Sequence, residues 1–153
     1  MQPSKAIVSV HNVEVQWGDC DPADIVFFPN YFAWFDAATW RLLAEGGFTL
    51  AELRRHGAVG FPIVNVEAKF MSPAAVQDRI AVHSQITEWG KSSFQVLHQI
   101  KREDGTLLVE GREKRVLTQA DPVQPGKLKS LAVPPEMIRR LGCAAGMVSE
   151  TAT

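Results

Sequence analysis

Three aspartates crowd one short segment of this 153-residue chain: Asp19, Asp21 and Asp24 fall within GDCDPADIVFFPN, residues 18–30. An aspartate directly before proline, as Asp21 is before Pro22, ordinarily caps a turn or helix. Its carboxylate accepts nearby backbone N–H groups while the proline fixes φ. The setting offers a second chemistry. The segment runs into an aromatic stretch and the start of a predicted helix, so a carboxylate there is partly desolvated beside N–H groups able to hold a developing oxyanion. Such a carboxylate can attack a carbonyl carbon or activate a water. Spacing alone leaves capping and catalysis both open.

Other chemistries lack their patterns. The chain has no G-x-S-x-G elbow, no G-x-G-x-x-G and no P-loop. His11, His56, His83 and His98 show no ligand spacing, so no metal is expected. Cys20 lies between two aspartates, which disfavour a thiolate, and reads as a packing residue. With only Cys143 as a distant second cysteine, a disulfide scaffold is excluded.

The elements that must position the aspartates follow from periodicity. In residues 6–17, Val13, Val15 and Trp17 alternate with Asn12, Glu14 and Gln16, a half-buried strand. Residues 31–45 hold no glycine or proline and are stopped by Gly46-Gly47. They predict a helix apolar round most of its circumference, which something must cover nearly completely. Eight of the thirteen aromatic residues lie between Trp17 and Trp40, making this the densest part of the expected core. Thr49 to Glu52 reads as a capping box opening a short helix that ends at Gly57, with Phe48 and Leu53 placed as a hydrophobic staple.

From Phe61-Pro62 the period is two. Val64, Val66, Ala68 and Phe70 mark one strand; Ile80, Val82, Ser84 and Ile86 the next, ending at Trp89-Gly90. Phe94, Val96, His98 and Ile100 mark a third, and Val109, Gly111, Glu113, Arg115 and Leu117 share one face of a fourth. Asp104-Gly105 is the strongest hairpin signal between them. Asp121 to Pro125 reads as loop, and Pro134-Pro135 opens a short helix to about Leu141. Four strands with short connections pair antiparallel, and a curved sheet is what buries a long apolar helix: an α+β fold, the sheet wrapped round the helix.

Composition bounds the rest. The chain is 46% hydrophobic and 22% charged with a net charge of −1, which fits one folded domain over residues 1–153, core about 8–141, with a tail from Cys143 to Thr153 expected to fray. Near-neutral charge argues against a nucleic-acid partner. The opening lacks a secretory apolar run, and the longest uncharged stretch, residues 25–35, is eleven residues, so neither membrane insertion nor export is expected and the location reads as cytoplasmic. Charge is uneven: residues 1–30 carry one Lys against four acids, and residues 101–140 nine Lys/Arg against six acids. The basic half is either a solvated face or a seat for an anionic ligand such as phosphate.

The run GDCDPADIVFFPNYFAWFDAA resembles the signature of the 4-hydroxybenzoyl-CoA thioesterase family and its hot-dog-fold relatives, approximately GDCDPAGIVxxPNYxxWxDAA. The resemblance continues through GFPIVNVEAKF and EWGKSSF and covers roughly residues 10–140. It implies a five-stranded antiparallel sheet around one long helix, assembled as a homodimer or homotetramer with active sites at the dimer interface. The implied reaction is acyl-CoA thioester hydrolysis, with coenzyme A part of the substrate and no separate cofactor. By position, the family's carboxylate falls on Asp21 and its oxyanion donor on the Phe28 backbone N–H. Asp36, Phe27, Tyr31 and Phe61 fall on the acyl side, and Lys91, Ser92 and Ser93 on the coenzyme side, with Arg115, Lys127 or Lys129 as further phosphate partners. Asp36 is otherwise a buried, hydrogen-bonded structural residue.

Two departures bear on the substrate. Asp24 stands where the signature has glycine, and Phe61 where a small hydroxyl residue could meet a polar ring substituent. With Phe27 and Phe28 this implies an apolar wall, and so a preference for an unsubstituted aromatic or medium acyl group over a hydroxylated ring. The alternatives are a fatty acyl-CoA or acyl-carrier-protein thioesterase and a non-catalytic acyl-CoA binding module. A hydratase is disfavoured, since no histidine pairs with an acid in the expected loop.

Overall fold

The structure is a computed structural model and describes residues 6–144. Strand β1 (Ser9–Glu14) leads through a 3₁₀ turn (Trp17–Asp19) and the aspartate loop into helix α1 (Pro29–Glu45). Helix α2 (Leu50–Arg55) follows, then strands β2 (Ile63–Phe70), β3 (Arg79–Trp89), β4 (Ser93–Arg102) and β5 (Leu107–Val116). A small ribbon, β6 (Thr118–Ala120) with β7 (Leu128–Ser130), and helix α3 (Pro135–Leu141) complete the order. The main sheet is antiparallel in the order β1-β3-β4-β5-β2, so β1 and β2 are its edges.

Local chemistry explains most boundaries. Gly105 turns the β4–β5 hairpin with φ +89°, and the Asp104 carboxylate accepts the Thr106 N–H at 2.9 Å. The Thr49 hydroxyl accepts the Glu52 N–H at the start of α2, and Phe48 and Leu53 are buried in one cluster. β1 is shorter than its alternation predicts: the Asp19 carboxylate accepts the Gln16 N–H and folds the chain into the 3₁₀ turn, leaving Trp17 78% exposed. The β6–β7 ribbon had no sequence signal, since its strands are only three residues each.

Two expectations about cover need correction. Within this chain only one face of α1 is buried, by Tyr31, Phe35, Ala38, Thr39, Leu42 and Leu43, while Trp40 and the alanines at 33, 37 and 44 stay exposed. The sheet curls round one side of the helix and leaves the other open. Strand β2, whose period of two implies one covered face, is exposed nearly throughout, unlike the other edge strand β1. The predicted fraying tail falls mostly on residues 145–153, outside the described residues. Its first two residues are anchored, Cys143 Sγ donating to Thr87 O at 3.2 Å and Ala144 N to Ile86 O at 2.9 Å.

The core has two apolar clusters. One gathers Leu42, Leu43, Phe48, Phe61, Phe94 and Met137; the other Val15, Val26, Tyr31, Phe35, Ile80 and Ile100. Along β3, β4 and β5 the inward positions between them are polar: Ser84, His98, Glu113 and Arg115, all buried. A charged belt therefore crosses the floor beneath α1.

Candidate active site

The aspartate loop is held by its backbone. Cys20 and Val26 form an antiparallel bridge, Asp21 N donates to Ile25 O at 2.9 Å, and Phe27 N donates to Asp19 O at 2.8 Å. Val26 N reaches Ala74 O at 2.8 Å, tying the loop to the β2–β3 connection. Asp21 Oδ1 accepts the Ala23 N–H at 2.8 Å. Its Oδ2 accepts no hydrogen bond among the described residues, so the turn cap and a free carboxylate oxygen coexist in one side chain. Asp24 has φ +64°, which explains the signature's glycine: the position needs a left-handed residue, and Asp is one of the few others that tolerate it. Burial first, then the charges of Asp19, Asp21, Asp24 and Asp78, push the Cys20 thiol up, away from a reactive thiolate.

The loop delivers the chain to α1 with one N–H to spare. Pro29 has none, Asn30 N donates to Phe27 O, and Tyr31 N donates to Phe28 O. The Phe28 N–H has no acceptor among the described residues, and it stands at the positive end of a 17-residue helix. Beside it opens a cleft of 310 Å³ walled by Ile25, Phe28, Tyr31, Phe70, Met71 and Pro73. Tyr31 belongs to this wall, its hydroxyl accepting the Ala74 N–H at 3.3 Å. Phe27 is exposed and meets Phe28 edge-on at 5.8 Å.

The remaining predicted residues sit elsewhere. Phe61 is not a wall of this cleft: it is 4% exposed, packed against Trp40 and Phe94 in the other core cluster. The prolyl residue after it and the Val116 N–H bond to Pro62 O seat it under the sheet's far end. Arg115 is not a phosphate ligand either. Its side chain is 4% exposed and its nitrogens are taken by Glu113, Asp36 and Phe61 O. Asp36 is hydrogen-bonded as expected but not buried, its side chain being 51% exposed.

Lys91 and Ser92 lie in the β3–β4 turn and Ser93 opens β4, next to the β6–β7 ribbon. Leu117 N donates to Ser92 O and Val133 N to Lys91 O, both at 2.8 Å, which brings exposed Lys127 and Lys129 to the same end of the molecule. This is not the end that carries Asp21. Val15 N bonds Asp78 O beside Arg79, the first residue of β3, whereas Lys91 follows Trp89, its last. An 11-residue strand puts about 30 Å between those ends. One chain therefore holds two separated groups: Asp21, Phe28 and the cleft at one end, and Lys91 with the ribbon lysines at the other, with Asp36 and Arg115 toward the latter.

The buried belt was not legible as a unit in the sequence. Ser84 Oγ and His98 Nδ1 are 2.6 Å apart, and His98 Nε2 lies 3.1 Å from Glu113 Oε1. A carboxylate only accepts, so Nε2 donates. Thr39 of α1 also donates to Glu113, and Arg115 meets both Glu113 oxygens, Nε at 3.0 Å and Nη2 at 3.2 Å. Burial pushes the Glu113 carboxyl up. The His98 hydrogen bond and charge, then those of Arg115, outweigh it and leave it below its ordinary value. The available signal was two charged residues on the inward face of one predicted strand, since buried charges must be paired. His98–Glu113 is a histidine–acid pair, but it is wholly buried and on strands, not in an accessible loop.

Comparison with known proteins decides the family. The profile of the Thioesterase-like superfamily matches residues 15–141. The chain belongs to this superfamily. It is 35% identical to a 4-hydroxybenzoyl-CoA thioesterase of Pseudomonas sp. (strain CBS-3), over 81% of this chain and 90% of that protein. Among solved structures, it superposes on a 4-hydroxybenzoyl-CoA thioesterase, crystallised as an aspartate-to-asparagine variant with 4-hydroxybenzoyl-CoA, with a TM-score of 0.80, 30% identity, and 88% and 98% of the two chains covered. A gentisyl-coenzyme A thioesterase gives a TM-score of 0.72 at 34% identity, with 83% and 97% covered. The fold of this superfamily member is the hot-dog fold, and its activity is thioester hydrolysis. No helix among its described residues is long and apolar enough to cross a membrane.

Proposed function

We propose that this chain is a hydroxybenzoyl-type acyl-CoA thioesterase whose active site is shared between two copies, with Asp21 as the reacting carboxylate. The observation that carries the reading is the loop itself. Among the described residues, it offers a carboxylate oxygen without a partner and, seven residues on, a helix-terminal N–H without an acceptor, beside an apolar cleft.

The thioester carbonyl oxygen takes the Phe28 N–H, where the helix end stabilises the negative charge that develops on it. Asp21 then either attacks the carbonyl carbon or draws a proton from an attacking water. In the first route the C–S bond breaks, coenzyme A leaves as the thiolate and takes up a proton, and water cleaves the resulting mixed anhydride to free the acid and restore Asp21. In the second, hydroxide forms as Asp21 takes the proton, and the thiolate leaves from the tetrahedral intermediate. Both routes need the same carboxylate and the same oxyanion donor.

The corrected geometry supports a hydroxylated acyl ring. The preference for an unsubstituted ring rested on an apolar wall of Phe27, Phe28 and Phe61; of these Phe28 lines the cleft and Phe61 is packed in the core. The half-exposed Asp36 carboxylate is instead a ready acceptor for a ring hydroxyl, and the relatives named above act on 4-hydroxybenzoyl-CoA and gentisyl-CoA, both hydroxylated aromatic esters. Lys91, Ser92 and Ser93, with Lys127 and Lys129, are proposed to hold the coenzyme phosphates.

A second copy reconciles the two separated groups. Edge strand β2 carries exposed Ile63, Val64, Val66 and Phe70, an apolar open edge of the kind that pairs. Ile63 lies at the Arg115 end and Phe70 at the cleft end. Antiparallel pairing of β2 with its twin about a twofold axis sets the cleft of one copy beside the Asp36 end of the other.

Thiol release from 4-hydroxybenzoyl-, benzoyl-, hexanoyl- and palmitoyl-CoA tests the reading, with Asp21→Asn alongside. Turnover of the hydroxylated ester, lost in the variant, is the expected result. Activity retained by Asp21→Asn, or fastest turnover of palmitoyl-CoA, contradicts it.

A further inference from the structure

The carboxylate assigned above to the acyl group is itself gripped from below. Asp36 Oδ1 lies 2.9 Å from Arg115 Nη2, while Oδ2 accepts no hydrogen bond among the described residues. The guanidinium is not free to choose its pose. Glu113 holds its Nε–Nη2 edge through both carboxylate oxygens, Phe61 O takes Nη1 at 3.2 Å, and the Phe61 ring lies under its carbon at 5.2 Å. Glu113 is fixed in turn by His98 and by Thr39, one helical turn from Asp36 on α1. His98 is braced by Ser84 and by the Phe35 ring, stacked at 4.7 Å and 6°.

The chain of contacts runs from the sheet interior to one half-exposed oxygen pair and ends there. A belt needed only for stability has no reason to finish on an exposed carboxylate. Burying a hydrogen-bonded charge pair is costly, and apolar residues of similar volume do as well or better. A planar fork, unlike a lysine ammonium, can serve Glu113 and Asp36 at once in fixed directions.

We propose that Arg115 is a positioning residue for acyl specificity: held by Glu113, it clamps one oxygen of Asp36 and presents the other as an ionised acceptor for a hydroxyl on the acyl ring. The inference rests on the reading that Asp36 meets the acyl group. It adds that discrimination between hydroxylated and plain rings is set from the buried belt, at a residue that never touches substrate.

The test compares kcat and KM for 4-hydroxybenzoyl-CoA and benzoyl-CoA in the wild type, Asp36→Asn, Arg115→Lys and the double variant, each checked for a native melting transition. Asp36→Asn is expected to lower the preference for the hydroxylated ester by about 10-fold or more, mainly through KM. Arg115→Lys is expected to lower it several-fold while benzoyl-CoA turnover stays within about 2-fold, and the double variant to resemble Asp36→Asn alone. If Asp36→Asn shifts the preference and Arg115→Lys does not, or if Arg115→Lys slows both esters equally, the positioning role is wrong while the Asp36 reading stands. If Asp36→Asn leaves the preference unchanged, the Asp36 reading itself fails and this inference with it. Should Arg115→Lys not fold, Glu113→Gln is read in the same way: a smaller loss of preference supports the proposal, and an unchanged preference overturns it.

Discussion

The aspartate loop and the buried belt solve the same problem, holding a carboxylate in place, by opposite means. Asp21 is held by backbone hydrogen bonds between Asp19 and Phe27, tied down by one from Val26 to Ala74, and the residue is half-buried. Asp36 is held by side chains drawn from α1, β4 and β5, 59 to 79 positions apart in sequence, most of them fully buried. The loop tolerates side-chain change because its donors are main-chain groups: Asp24 replaces a glycine and Phe28 supplies only its N–H. The belt tolerates little, since each member lost leaves a charge in the core.

The contrast is broken most sharply at the two carboxylates. Asp21→Asn is expected to reduce thiol release by about 100- to 10,000-fold with melting temperature nearly unchanged, because only one turn cap is perturbed. Arg115→Met should do the reverse to stability. Leaving buried Glu113 without its guanidinium partner is expected to cost about 3–5 kcal/mol in denaturant unfolding. A stable Arg115→Met protein would show that the belt is dispensable.

Gly111→Ala sharpens the comparison at one methyl group. An added Cβ would lie 2.4 Å from the Phe35 ring that stacks on His98, so a loss of about 1–3 kcal/mol is expected by thermal melting. The pH dependence is a smaller effect with a fixed sign. Glu113 sits below its ordinary value of 4.5, so its contribution is full above that pH and disappears as pH falls through the lower folded value. Acid unfolding followed by circular dichroism should flatten in Glu113→Gln relative to the wild type. The smallest effect is Asp24→Gly, expected to stabilise by about 1 kcal/mol by relieving a left-handed aspartate while leaving activity intact.

The same contrast explains what could be read from sequence. The loop's turn was legible because its geometry is local: Asp21, Pro22 and the aromatic run before α1 are contiguous, and the alternation in β3, β4 and β5 sets the sheet that receives the helix. Thr49 and Asp104-Gly105 carried their own turn chemistry. Residues whose meaning depends on distant partners were misread. Arg115 looked like a phosphate ligand and Phe61 like a pocket wall, because nothing near them in sequence says that Asp36 meets the one and Trp40 the other. Arg115 still carried a clue, in its inward register with Glu113 on one strand. The separation of the two groups was also invisible to spacing, since it arises from the length and direction of β3.

The central claim is that one active site draws on two copies, and subunit mixing tests it most directly. Asp21→Asn and a doubly substituted Asp36→Ala/Lys91→Glu protein are prepared separately, shown to be folded and close to inactive, then unfolded and refolded together in equal amounts. If the site is shared, each mixed dimer holds one intact site, and activity toward 4-hydroxybenzoyl-CoA should return to about one quarter of the wild-type value. If each chain carries a complete site, every site in the mixture keeps a defect and activity stays at the level of the parents, which would contradict the account.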